Sequence, residues 1–169
     1  QVQSIVDGVK TQHTTPSTDF HHQPRLEGSR VLWRDTPCCS QSEEAIKLWD
    51  AGVESLLAPW EPWTWFPTFD VAGEWIAYTR PGSAFQNGNL WIRDPAGVDV
   101  QVTNSAEQVT LLALSPEGEA MVRVGGQLWL ATNTSLEQIT FSPILPYDVR
   151  WTDAGWRFMR EDAVFKLAD

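Results

Sequence analysis

Cysteine, methionine and long apolar runs are scarce in this chain. Only two of its 169 residues are cysteine, Cys38 and Cys39, which are too few for a zinc site built from thiolates alone. No apolar run approaches the roughly 18 residues that a membrane-spanning helix needs. Helical periodicity is weak throughout, and the best stretch, Ser42–Trp49, is in sequence register with the predicted strand Leu90–Asp94. The sequence therefore predicts an all-β protein without a membrane span.

Basic residues are few relative to acidic ones. Lys and Arg together number 12, Asp and Glu number 22, and the formal net charge is −10. Nucleic-acid binding depends on Lys and Arg contacts to phosphate, so this composition argues against it and equally against an anionic membrane surface. The charge is consistent with solubility, and it leaves a basic protein or a cation as the charged partners that the sequence favours.

A glycine-centred turn recurs along the chain. Gly28, Gly73 and Gly118 are spaced by 45 residues, Gly155 follows after 37, and each precedes an apolar segment by three residues. The clearest copy is Ser-Pro-Glu-Gly at 115–118. Its Pro116 presets φ, and its Gly118 is predicted to take a positive φ. The repeat predicts a strand, a tight turn and a second strand.

Further strands follow each glycine turn. The predicted third strands are Ile46–Asp50, Leu90–Asp94, Leu128–Thr132 and Phe165–Asp169, and the predicted fourth strands are Val53–Leu57, Val98–Val102 and Leu136–Thr140. Four short strands in about 40–45 residues are typical of a propeller blade. The sequence predicts one domain over residues 1–169, a β-propeller with four blades of four antiparallel strands.

The predicted blades cover residues 19–57, 64–103, 109–140 and 147–169, with residues 7–13 completing the last one. Val9–His13 is predicted to pair as the outer strand against Phe165–Ala168, because this closes the ring and removes an exposed sheet edge. Two alternatives are four blades of a larger propeller and one half of an eight-bladed dimer.

The Ser-Pro-Glu-Gly turn, the strand Ile-Ala-Tyr-Thr at 76–79 and the strand Leu-Trp-Ile-Arg-Asp at 90–94 carry a family resemblance. They resemble the WD40-like (PD40) repeats of TolB-type propellers, over nearly the whole chain from about Asp7 to Asp169. That family has a Ser-Pro-Asp-Gly turn, so Glu117 departs from its pattern. The resemblance implies a propeller and an extracellular or periplasmic location, and the absence of a signal peptide then implies a mature form. It implies little about function.

The longer connections are expected on one face of the propeller, chiefly over the first two blades. They are the histidine-rich 13–22, residues 35–45, the tryptophan-rich 58–66, residues 81–89 and the proline-rich 141–147, whereas the opposite face has only tight turns. Loops carry function more often than scaffold does. The predicted binding residues are Trp60, Trp63, Trp65, Phe85, Glu43 and Glu44. The alternative for the three tryptophans is that they cap the core.

Cysteine and histidine chemistry offers two minor hypotheses. Cys38 and Cys39 are either reduced or form a strained vicinal disulfide. A metal site that uses one of His13, His21 or His22 is a weaker alternative to a solvated loop, because adjacent histidines on a strand point to opposite faces.

Catalytic motifs and cofactor-binding motifs are absent from the sequence, so no enzymatic activity and no cofactor are expected. The leading functional hypothesis is a non-enzymatic propeller that binds another protein within an extracytoplasmic assembly. The alternatives are a carbohydrate-binding module that uses Trp60–Trp65, and the propeller part of a prolyl-oligopeptidase-type hydrolase.

Overall fold

The computed structural model describes residues 2–6, 9–14, 20–36, 43–62, 67–81, 88–140, 147–160 and 163–167. The side chains of 4–6, 43, 44, 59–62, 81, 147, 160 and 163 are not described. All regular structure in these ranges is β. None of the described residues forms a helix that could span a membrane.

Seventeen strands occur in the described residues. They are β1 Gln3–Val6, β2 Val9–Gln12, β3 Phe20–Glu27, β4 Arg30–Thr36, β5 Glu43–Asp50, β6 Val53–Pro62, β7 Phe69–Ala72, β8 Trp75–Pro81, β9 Gly88–Arg93, β10 Asp99–Gln101, β11 Val109–Leu114, β12 Ala120–Val124, β13 Gln127–Ala131, β14 Leu136–Gln138, β15 Tyr147–Thr152, β16 Gly155–Arg160 and β17 Ala163–Lys166.

These strands form four consecutive antiparallel sheets and one hairpin. The first sheet is β3-β4-β5-β6, the second β7-β8-β9-β10, the third β11-β12-β13-β14 and the fourth β15-β16-β17, while β1 pairs with β2. Within each of the four sheets, strands that are consecutive in sequence pair with each other, as the repeats predict. The all-β prediction is confirmed, and the four sheets are consistent with propeller blades.

The chain divides into two compact units, Gln1–Pro67 and Thr68–Asp169. In the second unit, sheets pack face to face. One core cluster joins Ala77, Leu90 and Ile92 of the second sheet to residues of the third that include Leu111 and Val122. Another core cluster joins the third sheet to the fourth through Met121, Leu128, Trp156 and Phe158. Apolar residues of β11, β12 and β13 supply both clusters, so this part of the third sheet is buried on both faces.

Hydrogen bonds also link neighbouring sheets in this unit. The main-chain N–H of Leu111 donates to Thr68 Oγ1 at 2.9 Å, and that of Leu114 donates to Asp70 Oδ2 at 3.1 Å. The indole Nε1 of Trp156 donates to Glu119 Oε2 at 2.9 Å. These bonds satisfy polar groups beside the apolar clusters and fix one sheet against the next.

The Ser115–Gly118 turn forms as predicted. Gly118 has φ of +86°, and its N–H donates to the carbonyl of Ser115 at 3.1 Å. The buried hydroxyl of Ser115 accepts from the N–H of Glu119 at 3.1 Å. Gly28, Gly73 and Gly155 also have positive φ, which confirms that the recurrent glycines serve left-handed turn positions.

The motif Gln-x-Thr begins at the last residue of three strands, β2, β10 and β14. The hydroxyls of Thr14, Thr103 and Thr140 accept from the N–H groups of Val2, Leu90 and Leu128, at 2.9, 2.8 and 2.9 Å. The carbonyls of the same threonines accept from the side chains of Gln12, Gln101 and Gln138. The hairpin β1–β2 therefore has the hydrogen-bond pattern of the third and fourth strands of a complete sheet.

The hairpin packs within the first unit. Val2 forms a core cluster with Val31 and Trp33, and Trp49 packs against it. The ring of His13 meets Trp49 edge-on, with centroids 5.3 Å apart. Burial lowers the pKa of His13. Residues 1–6, which the sequence left without an element, thus contain a strand and a core residue.

The predicted pairing of Val9–His13 with Phe165–Ala168 is not shown. The strand β2 pairs with β1, in the register Gln3 opposite Gln12, and the described part of the fourth sheet has three strands. The hairpin forms because the Thr14 hydroxyl and the His13 N–H both bond to Val2, which holds β1 beside β2.

Candidate functional site

The candidate site lies at one end of the first sheet, which we call the loop end. The strand register brings together Phe20 with Thr36 and Glu43 with Pro62 at this end. The strand β4 ends at Thr36 and β5 begins at Glu43, so both have an end here. The loop end is the part of the first sheet on which the sequence placed its binding residues.

A buried ionic network lies next to the loop end. Asp35 is fully buried, and its Oδ1 is 2.5 Å from His21 Nδ1 on the neighbouring strand. Its Oδ2 is 2.8 Å from Lys47 Nζ, and Lys47 also lies 3.0 Å from Glu54 Oε1. A carboxylate without water needs such partners, since an isolated buried charge is strongly unfavourable.

The pKa of Lys47 reflects this environment. Burial acts to lower the pKa, but contacts with the carboxylates of Asp35 and Glu54 outweigh that effect and raise it above its usual value. Lys47 therefore stays charged at any physiological pH, which suits a structural ion pair rather than a general base.

A stacked aromatic pair, the exposed Phe20 and the half-buried His22, lies on β3 at the same end. Phe20 is 57% exposed, and its ring stacks on His22 with centroids 6.2 Å apart and 20° between the planes. His21 and His22 belong to different pairs of the strand ladder, opposite Asp35 and Arg34. His21 contacts Asp35 and His22 stacks on Phe20, as expected for adjacent strand residues whose side chains project to opposite faces. No cluster of three metal-ligating side chains occurs within the described ranges.

The backbone at the loop end differs from the prediction. Glu43 and Glu44 were expected in a loop and Trp60 in a connection, but the first two lie in β5 and Trp60 lies in β6. These loop predictions are wrong. The strand β6 continues to Pro62 because Ala58 stands where Thr103 and Thr140 close the equivalent strands, so the ladder with β5 runs on past two irregularities.

Most of the predicted site falls outside the described side chains. This applies to Glu43, Glu44 and Trp60, and the structure likewise does not describe Trp63, Trp65, Phe85, Cys38 and Cys39. Their participation stays a prediction. Sequence reasoning missed Asp35, Lys47 and Phe20. Asp35 was expected in the connection 35–45, but it lies in β4. The spacing Trp33-x-Asp35 was the available signal, since a strand that continues to Asp35 puts an acid on the same face as a core tryptophan.

Comparison with known proteins gives no assignment. No protein-family model matches the chain, and no curated protein is significantly similar to it.

Proposed function

We propose that this protein is a non-enzymatic β-propeller of the TolB type that binds another protein through the loop end of its first sheet. The observation that carries the proposal is the exposed ring of Phe20, which stacks on the half-buried His22. Aromatic side chains dominate the energetics of protein interfaces because a rigid ring buries a large area with little loss of entropy. The proposed setting is an extracytoplasmic assembly.

The ionic network supports this proposal by fixing the strands beneath the surface. The contact between His21 and Asp35 joins β3 to β4, and the contact of Lys47 with Asp35 joins β4 to β5. A preorganised surface loses less side-chain freedom on binding than a mobile one. Trp60, Trp63 and Trp65 would extend the aromatic surface, with Glu43 and Glu44 at its rim.

The architecture in this proposal goes beyond four sheets. Face-to-face packing of the second, third and fourth sheets supports a propeller. The hairpin β1–β2 has third- and fourth-strand bonding, while β17 already holds the third position of the fourth sheet. Since a four-stranded blade contains a single strand at the third position, the hairpin and β17 would belong to different blades. We therefore favour a larger propeller over a closed four-bladed ring.

Disulfide trapping distinguishes these architectures. Thr11 and Lys166 lie opposite each other in the predicted closing pair, so the ring predicts efficient oxidation of a Thr11→Cys, Lys166→Cys variant made in a background with Cys38 and Cys39 replaced by serine. The larger propeller predicts no intramolecular bond. Formation of that disulfide within the monomer would instead support the closed four-bladed ring.

The binding proposal is tested by capture of the partner from an extracytoplasmic extract of the source cells, quantified by mass spectrometry. Phe20→Ala, Trp60→Ala and Trp63→Ala are each expected to reduce capture, because truncation of an aromatic anchor typically costs about 2 kcal/mol or more. Phe85→Ala is tested separately, since Phe85 belongs to the connection between β8 and β9.

The matched control is Val98→Ala. Val98 is 54% exposed and lies at the turn between β9 and β10. Its truncation should leave capture unchanged. Folded loop-end variants that capture the partner at wild-type strength would contradict the proposal. Binding to a glycan array that is lost in Trp63→Ala would assign the surface to carbohydrate instead.

A further inference from the structure

Three cationic side chains form a row across the fourth sheet. Arg150 on β15 lies opposite Arg157 on β16, and Arg157 lies opposite Lys166 on β17. Directly opposed residues of antiparallel strands project from the same face, and like charges in such pairs are destabilising. This concentration of positive charge occurs in a chain whose net charge is −10.

The row borders an open cavity of about 220 Å³. Its lining comprises Asp148, Arg150, Arg157, Phe158, Met159 and Val164. Val164 is 62% exposed, so apolar surface is presented beside the charges. The cavity therefore has two guanidinium groups beside apolar side chains. This lining suits a ligand that carries both an anionic group and apolar groups.

Neutralisation of the row is incomplete. Asp148 forms a salt bridge with Arg150, and this contact accounts for one of the three cations. Within the described ranges, no carboxylate lies at ion-pair distance from Arg157 or Lys166. Arg157 and Lys166 are exposed and available to a carboxylate from outside the sheet.

The other sheets indicate what complements such a cation. Arg93 on β9 has a bidentate contact with Asp99 on β10, with distances of 2.9 and 2.6 Å. Lys47 on β5 contacts Glu54 on β6 at 3.0 Å. In both sheets an acid on an adjacent extended segment neutralises a cation on the third strand, and Lys166 lies on the third strand of its own sheet.

We propose that this face of the fourth sheet binds an extended acidic peptide segment, whose carboxylates contact Arg157 and Lys166 and whose apolar side chains enter the cavity at Met159 and Val164. The site is separate from the loop end of the first sheet, and neither proposal depends on the other. An extended segment fits because residues two positions apart in a strand face the same side, so an acid and an apolar residue at that spacing can contact Lys166 and Val164, which are also two positions apart on β17.

The probe is a fluorescein-labelled peptide in which glutamate and valine take turns at every second position with serine between them, so that both face one side of the extended chain, and its binding is followed by fluorescence anisotropy at 50 mM and 300 mM NaCl. A peptide with glutamine for glutamate is the ligand control. We expect the glutamine peptide to bind at least tenfold more weakly, and we expect added salt to weaken the acidic peptide. Equal affinities of the two peptides would overturn the proposal.

The protein variants are Arg157→Glu and Lys10→Glu, which change the net charge equally. Lys10 is exposed on β2. Arg157→Glu should reduce the affinity at least tenfold, whereas Lys10→Glu should change it less than twofold. Arg157→Gln replaces Arg157→Glu if circular dichroism shows that the latter misfolds. Similar losses in both variants would show that net charge alone attracts the peptide, and would overturn the site.

A second copy of the chain is the competing occupant. Light scattering of the unliganded protein measures whether it is a monomer or a dimer. A monomer that gains hydrogen-exchange protection in β16 and β17 with the peptide supports the proposal. A dimer that Arg157→Glu converts to monomer would overturn it, because the face would then be a self-association surface.

Discussion

The main chain of Gly118, in the turn between β11 and β12, lies directly against the indole ring of Trp75 at the start of β8. A Cβ atom added at position 118 would be 2.4 Å from Cδ2 of that ring. The glycine also has φ of +86°. Two independent constraints therefore fall on one residue: the turn needs a left-handed conformation, and the tryptophan of the neighbouring sheet leaves no space for a side chain.

Comparing Gly118→Ala with Gly97→Ala separates the effect of the left-handed conformation from the effect of the contact with Trp75. Gly97 has φ of +84° with open space around its Cβ position. We expect Gly97→Ala to lower the free energy of unfolding by about 1–2 kcal/mol, the usual effect of a left-handed alanine. Gly118→Ala should lower it by a further 1–3 kcal/mol or so through overpacking. Gly118→Val should be at least as destabilising as Gly118→Ala.

Urea denaturation measures both differences. Equal effects of the two alanine variants would contradict the role of Trp75, since backbone strain would then explain the whole change. The result also bears on the repeat, because a contact of this kind links a turn of the third sheet to a strand of the second.

Thr103→Val tests the Gln-x-Thr motif. The Thr103 hydroxyl accepts from the Leu90 N–H and lies 3.3 Å from Asn89 Oδ1. Valine preserves the shape but leaves a buried N–H without a partner, so the free energy of unfolding should fall by about 1–3 kcal/mol. The control is Thr11→Val, at an exposed position on β2.

Native-state hydrogen exchange adds a local measure of the same effect. The Leu90 amide should exchange faster in Thr103→Val than in the wild type, relative to amides of the third sheet. Unchanged protection at Leu90 would show that the hydroxyl bond has no energetic importance.

Local chemistry explains which parts of the fold the sequence predicted. Gly118 and Pro116 are residues with restricted backbone choices, so their spacing located the turns and the sheets between them. The motif Gln-x-Thr was also readable, since Gln101-Val102-Thr103 and Gln138-Ile139-Thr140 recur in register. Its third copy, Gln12-His13-Thr14, would have identified β1–β2 as an outer hairpin.

Non-local geometry explains what the sequence did not predict. The extension of β6 to Pro62 depends on continued pairing with β5, which no property of Trp60 or Glu61 reveals by itself. The burial of Asp35 depends on His21 and Lys47 arriving from two other strands. A single sequence specifies propensity and period, whereas contacts between distant strands follow from the register of the complete sheet.

His13 predicts a pH dependence of stability. Burial lowers its pKa in the folded protein, so the folded state binds fewer protons at this site than the unfolded state near the ordinary histidine pKa. By linkage, the contribution of this histidine is present above the unfolded pKa and is lost as the pH falls through the folded pKa.

The measurement is the free energy of unfolding of wild type and His13→Gln at pH 8.0, 6.5 and 5.0. The wild type should lose more stability than the variant on acidification. His22→Gln is the control, because His22 lies on β3 and its ring stacks on Phe20, whereas the ring of His13 packs on Trp49. Parallel pH profiles for wild type and His13→Gln would refute the assignment.

Asp35→Asn tests the ionic network at the loop end. The substitution keeps the shape of the side chain but removes the charge that faces His21 and Lys47 in a fully buried position. Breaking a buried pair by neutralising one partner typically destabilises by about 3–5 kcal/mol, but Lys47 keeps its contact with Glu54 in this variant. Because 24% of the Lys47 side chain remains exposed to solvent, we expect a loss at or somewhat below the lower end of that range.

The matched variant is Asp50→Asn in the same sheet. Asp50 Oδ2 is 3.1 Å from Arg30 Nε, and its side chain is 38% exposed. Solvent-exposed pairs contribute about 0–1 kcal/mol, so this variant should unfold at nearly the wild-type urea concentration. If both variants change the free energy of unfolding equally, Asp35 does not anchor the loop end. The rigid surface assumed for partner binding would then lose its physical basis, since β3, β4 and β5 would have no charged contact holding them in register there.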